Sequence, residues 1–201
     1  MTGHPKKVLV PVAEGAEEIE TACIVDILRR SEAEVLLASI MKSEKSEHPN
    51  TTNGLAIKGS RGLVFLADTY FEMIEKQEFD MIVLPGGARN AELLGSYDPL
   101  IKKLRRQKEQ EKWYAAICAS PALVFQKNGL IDTIEATCHP SVASHLKHKK
   151  LIEERVVVDQ KCITSRGPGT AIDFSLTLVE HLFNKTKAMN IAKALVHYFP
   201  Q

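Results

Sequence analysis

Apolar and polar residues follow two different periods along this 201-residue chain. Short runs rich in Val, Ile and Leu predict buried strands, and longer stretches with apolar residues three and four positions apart predict amphipathic helices. The predicted strands cover residues 7–12, 34–40, 79–84, 114–118, 133–137, 155–159 and 162–165. The predicted helices cover residues 17–30, 69–76, 99–112, 121–128, 170–183 and 185–197.

A hairpin and a loop interrupt this alternation in the first third of the chain. Residues 55–57 and 63–66 predict a small β-hairpin, and the charged stretch 41–53 predicts a solvated loop. Strands that alternate with helices of ten or more residues are typical of a mostly parallel sheet with helices on both faces, so the pattern predicts an α/β fold. Ligands of such sheets bind beyond the C-terminal ends of the strands. The corresponding turns follow Val12, Leu84 and Ile117.

Length, composition and charge narrow the class of protein. With 44% hydrophobic residues the chain can bury a substantial core, and residues 1–201 are expected to form one domain. The 26 basic and 25 acidic residues give no indication of a nucleic-acid partner or a membrane surface. No apolar run approaches the roughly 20 residues of a membrane span, and the first one is too short for a signal peptide. We therefore expect a cytoplasmic protein.

The cysteines and histidines do not form a metal-binding pattern. The chain has no CxxC pair, so its cysteines are expected to be reduced thiols rather than disulfides or zinc ligands. These are Cys23, Cys118, Cys138 and Cys162. His145 and His148 are three residues apart, but no third ligand is evident. The glycine-rich turn 165–170 lacks the nucleotide-binding patterns, so no cofactor or metal is expected.

Cys118 has the most distinctive sequence environment in the chain. An apolar strand-like run ends at this cysteine, and Ser120 and Pro121 are typical first residues of a helix. A cysteine beside a helix N-terminus is favoured as the thiolate, which is the reactive form. This placement predicts an acidic, nucleophilic Cys118. The alternative is a strand-end cysteine packed as a small hydrophobe.

Glu20 is a candidate partner for that thiol. It lies three, four and seven residues before apolar positions of the same predicted helix, so it faces the core side, whereas Glu17 and Glu18 are expected to be solvated. A carboxyl group among apolar neighbours has a raised pKa, and in its protonated form it could donate a hydrogen bond to a thiolate. The alternative is a first-turn glutamate that complements the helix dipole.

Backbone amides and a histidine complete the candidate site. The turn at Gly86 and Gly87 follows a buried strand and can approach a ligand closely. Amides here and at Ala119 could form an oxyanion hole, and His139 could act as a general acid or base. The alternatives are an ordinary turn and a structural histidine.

Five motifs of this chain occur in the same order in the DJ-1/ThiJ/PfpI superfamily, and the chain most resembles its DJ-1 branch. They are Gly15-Ala16-Glu17-Glu18-Ile19-Glu20, Val83-Leu84-Pro85-Gly86-Gly87, Ala115-Ala116-Ile117-Cys118-Ala119, His139-Pro140 and Thr164-Ser165-Arg166-Gly167-Pro168-Gly169-Thr170. The resemblance implies a flavodoxin-like three-layer sandwich, a homodimer and an oxidation-prone nucleophilic cysteine. It also implies that residues 185–197 form an extra C-terminal helix and that loop 41–54 is longer than is usual in the branch.

The resemblance assigns roles residue by residue. Cys118 matches the nucleophile, Glu20 the carboxylic acid that hydrogen-bonds it, and His139 the nearby histidine. Gly87 and Ala119 match the amides around the site. Arg30 and Arg61 resemble arginines near the dimer interface and the pocket. Ala119 stands where the protease-like branch has a histidine, which argues against peptidase activity.

The function implied by the resemblance is a cofactor-free, cysteine-dependent glyoxalase III or protein deglycase. Such an enzyme acts on methylglyoxal-type α-oxoaldehydes or on their adducts with proteins and nucleotides, and it takes part in the response to oxidative stress. The alternative is a redox sensor or chaperone that works through oxidation of Cys118.

Overall fold

The computed structural model describes residues 5–41 and 54–198. Its strands are β1 (Lys7–Val12), β2 (Glu34–Ser39), β3 (Ala56–Lys58), β4 (Val64–Leu66), β5 (Thr69–Tyr70), β6 (Met81–Leu84), β7 (Trp113–Ile117), β8 (Val156–Asp159) and β9 (Cys162–Ser165). Its α-helices are α1 (Glu18–Arg30), α2 (Phe71–Ile74), α3 (Ala88–Leu94), α4 (Asp98–Glu109), α5 (Ala171–Leu182) and α6 (Lys185–Ala194). A π-helical segment covers Pro121–Gln126, and short 3₁₀ helices cover Pro140–His145 and Pro168–Thr170.

The central sheet has seven strands in the order β5-β2-β1-β6-β7-β9-β8. All neighbours pair in parallel except β8, which runs antiparallel to β9. The chain moves from β1 outward to β2 on one side and from β6 outward to β7 on the other. Because parallel crossovers are right-handed, these two directions place helices on opposite faces of the sheet. The predicted α/β sandwich is confirmed.

Helices α1, α5 and α6 pack in succession, and α4 packs on β6 and β7. The inner strands are apolar at almost every position because both of their faces are covered, and all four residues of β6 are buried. The predicted hairpin is confirmed as the antiparallel pair β3 and β4. None of the helices in residues 5–41 and 54–198 is long and apolar enough to cross a membrane.

The predicted strand at residues 133–137 is wrong. The amide of Glu135 donates to the Asp159 carboxylate (2.8 Å), and the amide of Thr137 donates to Thr164 Oγ1 (3.0 Å). These amides bond to side chains because β9 already pairs with β7 on one edge and β8 on the other. A β-prone segment beside an occupied edge therefore remains irregular.

Other boundaries also differ from the sequence prediction. Thr69 and Tyr70 pair with β2, so the helix predicted over 69–76 is only the four-residue α2. Helix α3 was not predicted, since it follows Gly87 directly and has no side-chain cap. The predicted C-terminal helix is confirmed as α6 but ends at Ala194, two residues before the left-handed φ of 55° at Val196. The loop predictions for 41–53 and 41–54 concern residues 42–53, which lie outside the described ranges.

Candidate active site

The candidate site lies at the C-terminal ends of β1, β6, β7 and β9. The strand order changes direction between β1 and β6, and this crevice is where open α/β sheets bind ligands. A pocket of about 520 Å³ opens there, and Cys118 and His139 are among the residues that line it. The topology therefore brings together residues that the sequence places more than 20 positions apart.

Cys118 occupies a strained turn directly after β7. Its φ is 65°, in the left-handed region that non-glycine residues rarely adopt. The amide of Cys118 donates to the Ser165 carbonyl (3.0 Å), and its carbonyl accepts from the His139 amide (2.8 Å). Two neighbouring segments thus fix the backbone, and the side chain is 9% exposed, at the pocket wall.

The helical segment after Cys118 differs from the sequence prediction. Ser120 was expected to cap it, but Ser120 has helical φ and ψ, and its hydroxyl donates to the Pro85 carbonyl (2.7 Å). The following segment, Pro121–Gln126, is π-helical. Ser120 therefore connects the Cys118 turn to the loop after β6 instead of starting a regular helix.

Glu20 lies completely buried beneath the turn that follows β6. Its Oε2 accepts a hydrogen bond from the Gly86 amide (2.7 Å), and the side chain also hydrogen-bonds Cys118. Its Oε1 has no nitrogen or oxygen partner among the described residues. A buried carboxylate oxygen without a donor is costly, whereas a protonated one can donate to sulfur. This geometry supports the protonated form of Glu20.

Glycine is required at position 86 by the close approach of Cys118 and Glu20. A Cβ atom on Gly86 would lie 2.4 Å from Cys118 Cβ and 2.6 Å from Glu20 Oε2. Gly87 has a φ of 90°, and a Cβ there would lie 2.1 Å from the Gly15 carbonyl oxygen. We expected the Gly86 amide to face the substrate, but it holds Glu20 instead. Gly87 and Ala119 line the pocket.

Cys118 and Glu20 form a buried pair whose protonation states depend on each other. Burial raises the pKa of Glu20 to about 7, although the hydrogen bond from the Gly86 amide lowers it. Burial and the charge of an ionised Glu20 raise the pKa of the Cys118 thiol to about 12. A helix N-terminus alone therefore does not make this thiol acidic, contrary to the expectation from sequence.

Loss of the Glu20 proton makes the Cys118 thiolate less favourable, in addition to the cost of its burial. Protonation of Glu20 removes the repulsion between the two groups. The amides of Gly87 and Ala119, which hydrogen-bond the sulfur and lower the pKa of Cys118, then remain as its stabilising partners. The carboxyl group thus acts as a proton-bearing neighbour of the nucleophile.

Asn90 is a site residue that the sequence analysis missed. Its side chain is fully buried at the start of α3. Oδ1 accepts from the Ala13 amide (2.7 Å), and Nδ2 donates to the carbonyls of Pro85 (3.0 Å) and Gly86 (3.1 Å). Asn90 therefore ties the end of β1 to the turn after β6. The only sequence signal for Asn90 was its polar side chain three positions after Gly87.

His139 lines the pocket at the start of a 3₁₀ helix. Its Nδ1 accepts from the Ser141 amide (3.3 Å) and lies 2.8 Å from the Ser141 hydroxyl. Because Nδ1 is used as an acceptor, the neutral ring carries its proton on Nε2. His139 can therefore present an N–H group to a molecule in the pocket.

The β3–β4 hairpin forms another wall and is held by a buried carboxylate. Glu18 was expected to be solvated, but it is buried and accepts from Ser60 Oγ (2.9 Å) and from the amides of Arg61 (2.6 Å) and Leu63 (3.3 Å). Burial opposes its ionisation, yet these hydrogen bonds hold the pKa of Glu18 below its usual value. Arg61 lines the pocket, and Arg30 pairs with Asp26 on the exposed face of α1 (2.6 Å).

The other three thiols lie in different surroundings. Burial raises the pKa of Cys138 to about 11, and it also raises the pKa values of Cys162 and Cys23. None of these three lines the pocket. Within residues 5–41 and 54–198, no group of three or more His, Cys, Asp or Glu side chains is placed to hold a metal ion.

Comparison with known proteins agrees with this architecture. The sequence model of the DJ-1/PfpI family matches residues 6–181. The chain belongs to the DJ-1/PfpI family. Protein DJ-1 homolog A of Arabidopsis thaliana is 44% identical over 188 residues, which are 94% of this chain but 45% of that protein. The chain thus spans less than half the length of this relative.

A shorter relative and a solved structure match over nearly their full lengths. Glutathione-independent glyoxalase DJ-1 of Schizosaccharomyces pombe is 31% identical over 198 residues, covering 94% of this chain and 97% of that protein. The structure of oxidized Toxoplasma gondii DJ-1 is similar with a TM-score of 0.87 and 39% identity, covering 96% of this chain and all of that one. These matches place the chain in the DJ-1 branch of the family.

Proposed function

We propose that this protein is a cofactor-free, cysteine-dependent glyoxalase that converts α-oxoaldehydes such as methylglyoxal into 2-hydroxy acids. The observation that carries the proposal is the placement of Cys118 on the wall of a pocket of about 520 Å³, against a fully buried Glu20 whose pKa is raised to about 7. A relative named as a glutathione-independent glyoxalase supports it.

The reaction begins with attack of the Cys118 thiolate on the aldehyde carbon. A carbon–sulfur bond forms, the carbonyl oxygen takes a proton, and the product is a hemithioacetal. The hydrogen on the former aldehyde carbon then leaves as a proton, the ketone oxygen gains one, and an enediol results. Protonation at the former ketone carbon, with loss of the proton from the hydroxyl on the sulfur-bearing carbon, gives a 2-hydroxyacyl thioester.

Hydrolysis of this thioester completes the cycle. Water adds to the thioester carbonyl, the carbon–sulfur bond breaks, and the 2-hydroxy acid leaves as the thiol is restored. The aldehyde carbon is oxidised and the ketone carbon is reduced within the same molecule, so the net reaction consumes only water. The proposal therefore needs no external oxidant or cofactor.

Three groups of the site supply the proton transfers and the charge stabilisation. Glu20 holds a proton beside the sulfur, and His139, which lines the pocket, carries an N–H group at Nε2. The amides of Gly87 and Ala119 stabilise negative charge first on the sulfur and then on the adjacent substrate oxygen. Gly86 is left out of this set because its amide holds Glu20.

Lactate formation from methylglyoxal without glutathione tests the proposal. We expect turnover by the native chain, loss of it in Cys118→Ser and strong impairment in Glu20→Gln. Cys23→Ser is the matched control, since Cys23 lies outside the pocket. No lactate from the native chain, or equal rates in Cys118→Ser, would contradict the glyoxalase proposal. Protein deglycase activity would in addition require lactate release from a preformed adduct faster than the adduct itself dissociates.

A second candidate function is redox sensing through Cys118. The unpartnered Glu20 Oε1, when protonated, could donate to an oxygen of a cysteine sulfinate, and the similar Toxoplasma gondii protein is described as oxidized. Mass spectrometry after mild peroxide should find sulfinate on Cys118 before any other cysteine. Preferential oxidation of Cys138 or Cys162 would exclude this role.

A homodimer is proposed from an apolar surface beside α1. Ile19 is 55% exposed, and three residues at the β3–β4 hairpin are also exposed. These are Leu63, Val64 and Leu66. The buried Glu18 carboxylate bonds the hairpin to α1, so both segments present one surface. Contiguous exposed apolar side chains of this kind mark protein interfaces.

A further inference from the structure

Three cationic side chains line the pocket that contains Cys118. Lys58 ends β3, Arg61 follows it in the hairpin loop, and Arg89 lies in the first turn of α3. They come from segments about 30 residues apart in sequence, and the fold places them around one cavity. Neither Lys58 nor Arg89 belongs to the motifs by which the sequence was compared with its family.

The backbones that carry these cations are held by short contacts. The Gly15 amide donates to the Lys58 carbonyl (2.8 Å), and the Arg61 amide donates to buried Glu18 (2.6 Å). A Cβ on Gly15 would lie 2.7 Å from Arg89 Cβ, so the stem of Arg89 packs directly over this glycine. These contacts hold the backbone at Lys58 and Arg61 and the base of the Arg89 side chain, and all three residues line the pocket.

Carboxylates within the described ranges compensate the positive charges of these three side chains only in part. Neither Lys58 nor Arg61 makes an ion pair with a residue in 5–41 or 54–198, and Arg89 reaches Glu92 only at 3.8 Å with its side chain 63% exposed. Two carboxylates, Glu14 and Glu17, line the same pocket, and Glu17 keeps its negative charge although its Oε2 accepts the Glu20 amide (2.8 Å). The lining thus carries more positive than negative charge.

We propose that Lys58, Arg61 and Arg89 make this pocket selective for α-oxoaldehydes that carry an anionic group, a carboxylate or a phosphate, beyond the reacting carbonyls. Arginine and lysine recognise both anions, and arginine can bind either one through two parallel hydrogen bonds. The identity of the reaction rests on the glyoxalase proposal, whereas the selectivity for anions is a property of the pocket and can be measured without turnover.

Alkylation of Cys118 measures that selectivity directly. The same thiolate attacks iodoacetate and iodoacetamide, which differ chiefly in charge, so the ratio of their rate constants cancels changes in thiol reactivity. One unit charge roughly 6 Å from the reagent in water changes the ratio about threefold. We expect a fall of about threefold in Lys58→Gln and in Arg89→Gln, and roughly tenfold in the double variant at low salt.

Two control variants test whether the effect on the rate ratio depends on the sign of the charge and on its position in the pocket. Arg105→Gln removes an equivalent positive charge from the exposed face of α4, outside the pocket, and should leave the ratio unchanged. Glu14→Gln removes a negative charge from the pocket lining and should raise the ratio. A ratio in the double variant within twofold of the native value, or an equal fall in Arg105→Gln, would overturn the proposal.

Two further measurements connect this selectivity to substrate. Protection of Cys118 from iodoacetamide by inorganic phosphate or by acetate shows which anion the pocket prefers. Turnover of 4,5-dioxopentanoate, an α-oxoaldehyde with a terminal carboxylate, should have a higher kcat/KM than that of methylglyoxal, and the double variant should lower the ratio of the two kcat/KM values. Failure to turn over either compound would refute the glyoxalase proposal alone, since the alkylation ratio decides the anion selectivity by itself.

Discussion

Replacement of Glu20 by glutamine tests whether the buried carboxyl is protonated at neutral pH. Glutamine keeps an oxygen for the Gly86 amide and places an N–H donor where the unpartnered Oε1 lies. It has the same shape and cannot ionise. The substitution therefore removes the titration while it preserves the packing and the hydrogen bond that define the site.

The magnitude follows from the raised pKa. Glu20 titrates near 7 in the fold against an ordinary value of 4.5, so its ionisation costs the folded state about 3 kcal/mol. Because the pKa of Glu20 is higher in the folded state than in the unfolded state, its contribution to stability is fully present below pH 4.5. That contribution is lost as the pH rises from about 4.5 to about 7. The free energy of unfolding of Glu20→Gln, relative to the native chain, should thus increase by about 2.5 kcal/mol between pH 5 and 8, since part of the change occurs below pH 5.

Denaturant unfolding of both proteins at several pH values measures this difference, and other titrating groups cancel between them. The same comparison of glutamate and glutamine at position 20, made in a Cys118→Ala background, shows that Glu20 is the titrating group. Burial is the main cause of the raised Glu20 pKa, so the pH dependence of stability should persist without the thiol. A stability difference that stays constant from pH 5 to 8 would refute a protonated Glu20. It would also remove the basis for its role as a proton donor to sulfur.

Three other substitutions test positions that the fold makes important. Asn90→Ala leaves a buried amide of the neighbouring loop unpaired and should lower the free energy of unfolding by about 2–4 kcal/mol in denaturant titrations; a loss below about 0.5 kcal/mol would show that the bridge is dispensable. Gly86→Ala introduces a methyl group 2.4 Å from Cys118 Cβ and 3.0 Å from its Sγ, and it should cost about 1–3 kcal/mol and slow alkylation of that thiol, whereas Gly169→Ala, where nothing lies within 4 Å, should do neither. Leu63→Glu should shift the protein to monomer in sedimentation, unlike Met73→Glu on an exposed face of α2, and a monomeric native protein would contradict the proposed interface.

The sequence by itself determined the order of most strands and helices and the location of Cys118 at the end of a strand. Strand β1 matches its predicted bounds because Lys7 is followed by five consecutive apolar residues, all of them buried in the fold. Cys118 was recognisable because an apolar run ends at it. The turn at Gly86 and Gly87 was recognisable because glycines directly follow a buried strand. Each of these features depends on local periodicity or on backbone freedom, and both are visible within a few residues.

The tertiary structure decided which hydrogen-bond partner each buried polar group has. Glu18 and Glu20 stand in the same first turn of α1, yet one bonds the hairpin amides and the other bonds the Gly86 amide 66 residues away. The sequence predicted core placement only for Glu20. Residues 133–137 have a strand-like composition but meet a strand whose edges are both occupied.

The tertiary structure likewise decided the hydrogen-bond partners of Asn90 and Ser120 and the grouping of cationic residues around the pocket. The residues that meet there belong to strands and loops that become neighbours only when the crossovers around β1 and β6 are formed. A hydrogen-bonding group in an isolated segment can bond to water or to several local partners, so local sequence does not select one. Burial excludes water and leaves only the partners that the topology brings within reach, and for that reason the fold, rather than the local pattern, determined the chemistry around Cys118.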